Sequence, residues 1–263
     1  QGQSVPFNMS DISAPEESIY AQAILSLLDL VESSFSRTKV FSLFLNDCFL
    51  AAMRISREDA LVWLKWADRL NIFHSFDLED KKRRSVTDSR SYTWSQGLIR
   101  LRLGRIMDTD PVNGITGSRE YKGMVPFSDI DSANPVLVGD FSIAVETLCH
   151  RLAGLAGKEM SCKEWASSLR SLIDQFLAIP YGRNAEEKIR DSMRYTLEAL
   201  EELDLSIGKT GKKGVGFGFV LEYIKSSLSK IGASRGRYLS GGVTISSLLP
   251  MRPIPFKIVY IMG

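Results

Sequence analysis

Apolar residues recur at helical spacing along most of the chain, and only its two ends break that rhythm. Ile24, Leu27, Leu28 and Val31 share one helical face, and Ser13-Ala14-Pro15-Glu16 upstream has capping-box spacing with a proline tolerated in the first turn. A second helix is expected over 38–53. A third begins at Ser56, where Asp59 completes another capping box and Ala60, Trp63, Ala67 and Leu70 form a single stripe. The charged stretch 76–90 predicts a loop with a short helix. Over 92–107 the segment "LIRLRL" alternates as a strand would, yet its length and the absence of turn residues around it favour a helix. Pro111, Gly114, Gly117 and Gly123 mark 110–123 as a long loop. Further helices are expected over 139–155, 161–178 and 184–203, the last two opening with Ser161 or Asn184 three residues before a glutamate. "GKTGKKGVGFG" then predicts a linker ahead of a helix over 219–231. At the ends, 5–9 reads as a short strand, and "GGVTISSLLPMRPIPFKIVYIMG" reads as strand, proline-rich loop and strand. The expected fold class is mainly α, a helical body whose two ends are edges of a sheet.

Composition narrows this picture only a little. A chain of 263 residues, 44% hydrophobic and 24% charged, can bury a substantial core and is not disordered throughout. Its net charge of +2 says less than the placement of the charges. Residues 81–105 hold eight basic side chains and one acid, 209–237 hold seven and one, and 184–204 is acidic. Such segregation permits a polyanionic partner, although a run of charge is more often a solvated face. Cys48, Cys149 and Cys162 are too widely spaced for a zinc knuckle or redox motif, which fits a reducing, cytoplasmic setting. No apolar run has the length of a membrane span. The chain opens with Gln1 rather than Met and closes within an expected strand, as an internal piece of a longer polypeptide would.

Several chemical signals dissolve under inspection. Gly208-Lys209-Thr210 has the ending of a phosphate loop, but Leu203 stands where the first glycine belongs and an acidic helix precedes it instead of a strand. Gly214, Gly216 and Gly218 lack the strand context of a dinucleotide fingerprint. His74 and His150 have no acid or cysteine at metal-ligand spacing, and no metal or cofactor site is expected in this segment. Trp63, Trp66, Trp94 and Trp165 fall within expected helices and suit core packing, with base stacking by Trp94 the lesser alternative. Arg100, Arg102 and Arg105, with the basic residues 81–84, can hold phosphates or can pair with Asp77, Glu79 and Asp108. No catalytic set emerges.

The closing segment is more specific. "VTISSLLPMRPIPFKIVYIMG" resembles motif V of superfamily 1 DNA helicases, a strand, a coupling loop and a second strand in a RecA-like domain. Ser247 takes the threonine position of that motif, Leu249 the histidine, Arg252 the lysine, Pro253 the glycine, Pro255 the glutamate and Phe256 the phenylalanine. The strands survive and most of the polar chemistry does not. Arg252 keeps a cation able to hold a phosphate or to satisfy loop carbonyls, and Ser247 keeps a hydroxyl. This degenerate form is similar to the gamma subunits of bacterial exodeoxyribonuclease V, the RecC family. "VPFNMSD", "YTWSQGLIRLRLGRIM" and "YKGMVPFSDID" agree in order.

That resemblance implies three parts: 1–14 at the edge of a RecA-like domain, 15–238 a helical accessory domain, and 239–263 RecA-like strands with the degenerate motif. It implies an internal part of a helicase-like subunit that hydrolyses no ATP, with ATP and magnesium on RecB-like and RecD-like partner subunits. Its work would be to separate and channel DNA strands and to read a recombination hotspot during double-strand break repair. Nucleic-acid contacts are then expected at Ser247, Arg252, Arg100, Arg102, Arg105 and Trp94. The rival readings are an active superfamily 1 helicase and a helical protein-interaction module.

Overall fold

The computed structural model of the chain describes residues 7–9, 14–84, 89–107, 120–127, 135–204, 214–231, 243–245 and 257–261. In chain order these form β1 (Phe7–Met9), α1 (Ala14–Glu17), α2 (Ile19–Glu32), α3 (Arg37–Phe44), α4 (Asp47–Met53), α5 (Arg57–Arg69), α6 (Leu78–Arg84) and α7 (Trp94–Ile106). Then follow α8 (Pro135–Ala153), β2 (Glu159–Met160), α9 (Cys162–Phe176), α10 (Ala185–Glu202), β3 (Val215–Gly216), α11 (Phe217–Lys230) and β4 (Val243–Ile245). The fold is mainly α, as the periodicity predicts.

The centre of the body is α2. Ser18, in extended conformation, caps it by accepting from the Ala21 amide, while Ser13, directly ahead of α1, lies outside the described residues. Of its residues only Gln22 and Glu32 are exposed, and it packs against α3, α4, α8, α10 and α11. A helix apolar nearly all round is a buried one. Each fully buried Leu, Ile or Val contributes about 1.5–3 kcal/mol relative to exposure, so this single helix anchors much of the core.

Aromatic rings extend that core outward. Phe44 stacks on Phe49 at 4.5 Å between centroids and meets Trp63 edge-on at 5.8 Å; Trp63 in turn stacks on Phe141 at 5.3 Å. These contacts join α3, α4, α5 and α8. Three buried indoles also tie distant backbone together: Trp63 Nε1 donates to the Leu137 carbonyl, Trp94 Nε1 to Phe35 and Trp165 Nε1 to Val215. Burying an indole without such a partner would leave its N–H desolvated and unpaired.

Elsewhere the structure corrects local expectation. The helix expected over 38–53 is two helices, because Asn46 takes an extended conformation between them. Its Oδ1 accepts from the Cys48 amide at 2.8 Å, starting α4, while its Nδ2 donates to the Ile19 carbonyl at 3.0 Å. An asparagine that can satisfy backbone groups outside the helix competes with the helix ladder. Asn184 does not cap α10 with its side chain, since it already sits in helical φ/ψ within the turn from Arg183 to Glu186. The expected linker over 208–218 holds structure in its second half. Val215–Gly216 pairs antiparallel with Glu159–Met160, and α11 begins at Phe217 instead of residue 219. A Cβ on Gly214 would lie 3.1 Å from the Met160 carbonyl oxygen, so this approach suits glycine. The first half of that stretch lies outside the described residues.

At the root of the body, β1 and β4 pair in parallel, with Phe7 opposite Val243 and Met9 opposite Ile245. Parallel neighbours need a crossover connection, and here the whole helical body is that crossover. The second strand expected near the end forms no ladder over 257–261, the part of it that is described, where Tyr260 and Ile261 are exposed.

Candidate nucleic-acid interface

The expected DNA-facing residues centre on α7, and its packing decides what they do. Thr93 caps the helix by accepting from the Gln96 amide, and Trp94 follows fully buried. Phe41 and Phe141 lie 6.2 and 6.4 Å from the Trp94 ring, and its N–H reaches Phe35 at 2.7 Å. The indole therefore offers no face to a base. Two glycines let the helix sink further, because a Cβ on Gly97 would overlap Ile72 and one on Gly104 would overlap the Phe127 carbonyl. Leu98 and Leu101 of "LIRLRL" point inward.

Arg100 and Arg102 are two residues apart, about 200° around a helix, so they leave on different sides. Arg100 Nε donates to the Val125 carbonyl at 3.0 Å and Nη1 to Leu70, the C-cap of α5, at 3.4 Å. Arg102 Nε donates to Ser142 Oγ at 3.2 Å, and its Nη2 pairs with Glu146 on α8. Both cations thus bind neighbouring elements, by partners other than the Asp77, Glu79 and Asp108 suggested by proximity in sequence. Arg105 alone of the three is exposed with no partner among the described residues.

The preceding basic run is divided in the same way. Lys81 is buried, its Nζ donating to the Ser91 carbonyl at 2.8 Å, and Arg83 stands 3.7 Å from Asp80. Asp80 is itself buried and accepts from the Phe76 amide. Lys81, Arg100 and Arg102 of the basic run are thus turned to internal partners. Ser247 and Arg252 lie outside the described residues.

A buried polar group that the sequence concealed is Glu186. It falls on the apolar stripe of α10 with Ile189, Met193, Leu197 and Leu200, which is the signal that could have found it. Its carboxylate is buried at the start of α2, where it accepts from the Ser18 hydroxyl and from the Tyr20 amide at 3.1 Å. An anion at a helix N-terminus is stabilised by the unpaired amides and the dipole there. Asp204 does the same for α9, accepting from the Cys162 and Lys163 amides at 2.6 and 2.9 Å.

Reactive chemistry is muted across the described residues. Burial, reinforced by Glu186 and Asp47, pushes the Cys48 thiol up to about 12. Burial and then Asp204 push Cys162 up to about 11, and burial holds Cys149 well above the ordinary thiol value. All three remain protonated at neutral pH and so lack thiolate reactivity. His74 Nδ1 bonds Ser75 Oγ, and His150 lies edge-on to Phe76. No group of three acidic, histidine or cysteine side chains suited to a metal occurs among the described residues. None of their helices is long and apolar enough to cross a membrane.

Comparison with known proteins places this architecture. The family described as RecBCD enzyme subunit RecC fourth domain matches residues 17–232, from the end of α1 to just past α11. The RecBCD enzyme subunit RecC of Escherichia coli is 24% identical over 259 residues, covering 98% of this chain and 22% of the relative. That of Haemophilus influenzae is 26% identical over 269 residues, covering 98% and 21%, and that of Mycobacterium tuberculosis 22% identical over 237 residues, covering 90% and 20%. The chain spans about a fifth of the length of these relatives. With most of its length matched, the helical body and the chain that carries it belong to the RecC fourth-domain family.

Proposed function

We propose that this chain is the helical insertion of a RecC-type subunit and serves a RecBCD-type helicase–nuclease as a non-catalytic scaffold that guides DNA. The observation that carries the reading is the family match across the whole helical body, 17–232. The parallel pairing of β1 with β4 supports it, because it makes the body an insertion between neighbouring strands. On this reading 1–14 and 239–263 belong to a RecA-like sheet and 15–238 form an accessory domain. RecB-like and RecD-like subunits, bearing ATP and magnesium, are the partners, and the setting is cytoplasmic. Arg105 and Arg90, both exposed and without a side-chain partner among the described residues, are the cations of the basic stretch best disposed to meet phosphates.

A second reading, a helical protein-interaction module, is favoured by the capture of Arg100 and Arg102 in internal contacts. Salt-titrated binding of forked and single-stranded DNA to a full-length subunit carrying this segment separates the two. Each phosphate neutralised adds about 0.9 to the slope of log affinity against log salt on duplex DNA, so Arg105→Ala should flatten the slope by about that amount. Absent or salt-insensitive binding would leave the interaction module as the better account.

A further inference from the structure

The turn between α9 and α10 walls a cleft of about 650 Å3, lined among others by Tyr20, Asp174, Leu177, Pro180, Tyr181 and Arg190. The wall is held in place before any ligand arrives. Leu177 and Ala178 donate to the Ile173 and Cys48 carbonyls at 2.8 and 2.9 Å, and Arg183 closes a turn onto Pro180 at 3.2 Å. Gly182, with φ of 82°, takes the left-handed position of that turn, which throws the neighbouring Tyr181 fully into solvent at the lip of the cleft.

The floor holds a hydroxyl that opens onto the cleft, since no buried side-chain oxygen or nitrogen among the described residues lacks a partner. Tyr20 is 3% exposed, lines the cleft, and its hydroxyl has no hydrogen-bond partner among the described residues. Burial first, and then the Asp174 charge, push its ionisation up to about 12, so the hydroxyl stays intact at any physiological pH. A hydroxyl with no protein partner at the floor of a cleft is free to bond a ligand atom there.

Charge selects the ligand. Asp174 forms no ion pair among the described residues, and Glu187 reaches Arg190 only at 4.0 Å. Two carboxylates against one guanidinium leave the mouth negative, and an exposed aromatic ring beside them attracts cations through its face. Exposed tyrosines on rigid supports are also typical anchors of protein interfaces.

We propose that this cleft is a docking site for a basic segment of a partner protein and receives one arginine or lysine side chain. Its stem lies along Leu177 and Pro180, its cationic head meets Asp174 and the Tyr20 hydroxyl oxygen, and Tyr181 covers it. This site is independent of the DNA reading. Single-stranded nucleic acid, which would stack on Tyr181, is opposed by the two carboxylates.

The test is a chemical-shift titration of the isotopically labelled chain with acetyl-Gly-Arg-Gly-amide, with acetyl-Gly-Glu-Gly-amide and an oligothymidylate as separate arms. Saturable shifts confined to Tyr20, Asp174, Tyr181 and their neighbours are expected for the arginine peptide alone. Asp174→Asn and Tyr181→Ala, both at exposed positions, should each weaken that binding by about tenfold. Tyr20→Phe, which keeps the buried ring, should weaken it while leaving the unfolding midpoint in place. No saturable shift, equal binding of the glutamate peptide or the oligothymidylate, or full affinity in Asp174→Asn would each overturn the proposal.

Discussion

Helices α7 and α10 both carry several arginines, and they dispose of them in opposite ways. In α7, Arg100 and Arg102 reach across to Leu70, Val125, Ser142 and Glu146, and the aromatic residue, Trp94, is enclosed. In α10, Arg190 and Arg194 stand half exposed beside Glu187 and Glu198 at 4.0 and 3.9 Å, and Tyr195 is exposed with Arg194 over its ring. The polar group that α10 does bury is an acid, Glu186. A cationic run in sequence is therefore a poor guide to an available cation. What decides is whether the neighbouring element offers carbonyls and carboxylates at arm's length.

The sharpest way to break this contrast is to remove one aromatic from each helix. Trp94→Ala should cost about 3–5 kcal/mol in urea unfolding, through the cavity and the unpaired Phe35 carbonyl, whereas Tyr195→Ala should stay within about 0.5 kcal/mol. Equal losses would mean that Trp94 is not the enclosed partner seen here. Next in size is the buried acid. Glu186→Ala strips the start of α2 of its acceptor and should cost about 2–3 kcal/mol, with Glu186→Gln recovering part of the loss and Glu187→Ala close to neutral.

Alkaline titration sharpens the same region, where Tyr20 faces α10. Its folded ionisation is raised from 10.0 to about 12, so the stability it confers is complete below the unfolded value and is lost as pH climbs through that window. Tyrosinate absorbance should show one late-titrating ring, absent in Tyr20→Phe, and that variant should unfold less steeply above pH 10. A smaller effect is expected from the arginines. Arg102→Ala should cost at most about 1 kcal/mol, since its pair with Glu146 is partly exposed, and Arg194→Ala less than about 0.5.

The smallest effect concerns the α9 cap. The Glu164 carboxyl is held below its usual value by hydrogen bonds from the Ser161 backbone and side chain. The capping box contributes above the ordinary carboxylate pKa and is lost as pH falls through the lowered folded one. A carboxyl-carbon titration should find the Glu164 midpoint depressed, and only partly restored by Ser161→Ala, because alanine keeps the backbone N–H that is the larger cause.

Much of this fold is legible locally. The Ser161–Glu164 box and the Ser56 cap form where the spacing places them, and the stripe of α5 buries Ala60, Trp63 and Ala67 as its periodicity requires. The ambiguous "LIRLRL" resolves as a helix, with Leu98 and Leu101 inward. The candidate site was less legible. Trp94 and the arginines were visible as residue types, but nothing within a few positions of them announced Phe35, Glu146 or the Leu70 carbonyl as their partners.

The sequence by itself determined the helical body, its apolar stripes, the Ser56 and Ser161 caps, and the family signature, because those depend on residues three or four apart whose preferences are intrinsic. Only the tertiary structure decided where Asn46 breaks a helix, where Arg100 and Arg102 turn, and why Glu186 lies inside. Their partners are distant along the chain: Ile19 is 27 residues from Asn46, Glu146 is 44 from Arg102, and Ser18 is 168 from Glu186. Hydrogen bonds over such separations exist only once the core has brought the elements together, so no local pattern can encode them.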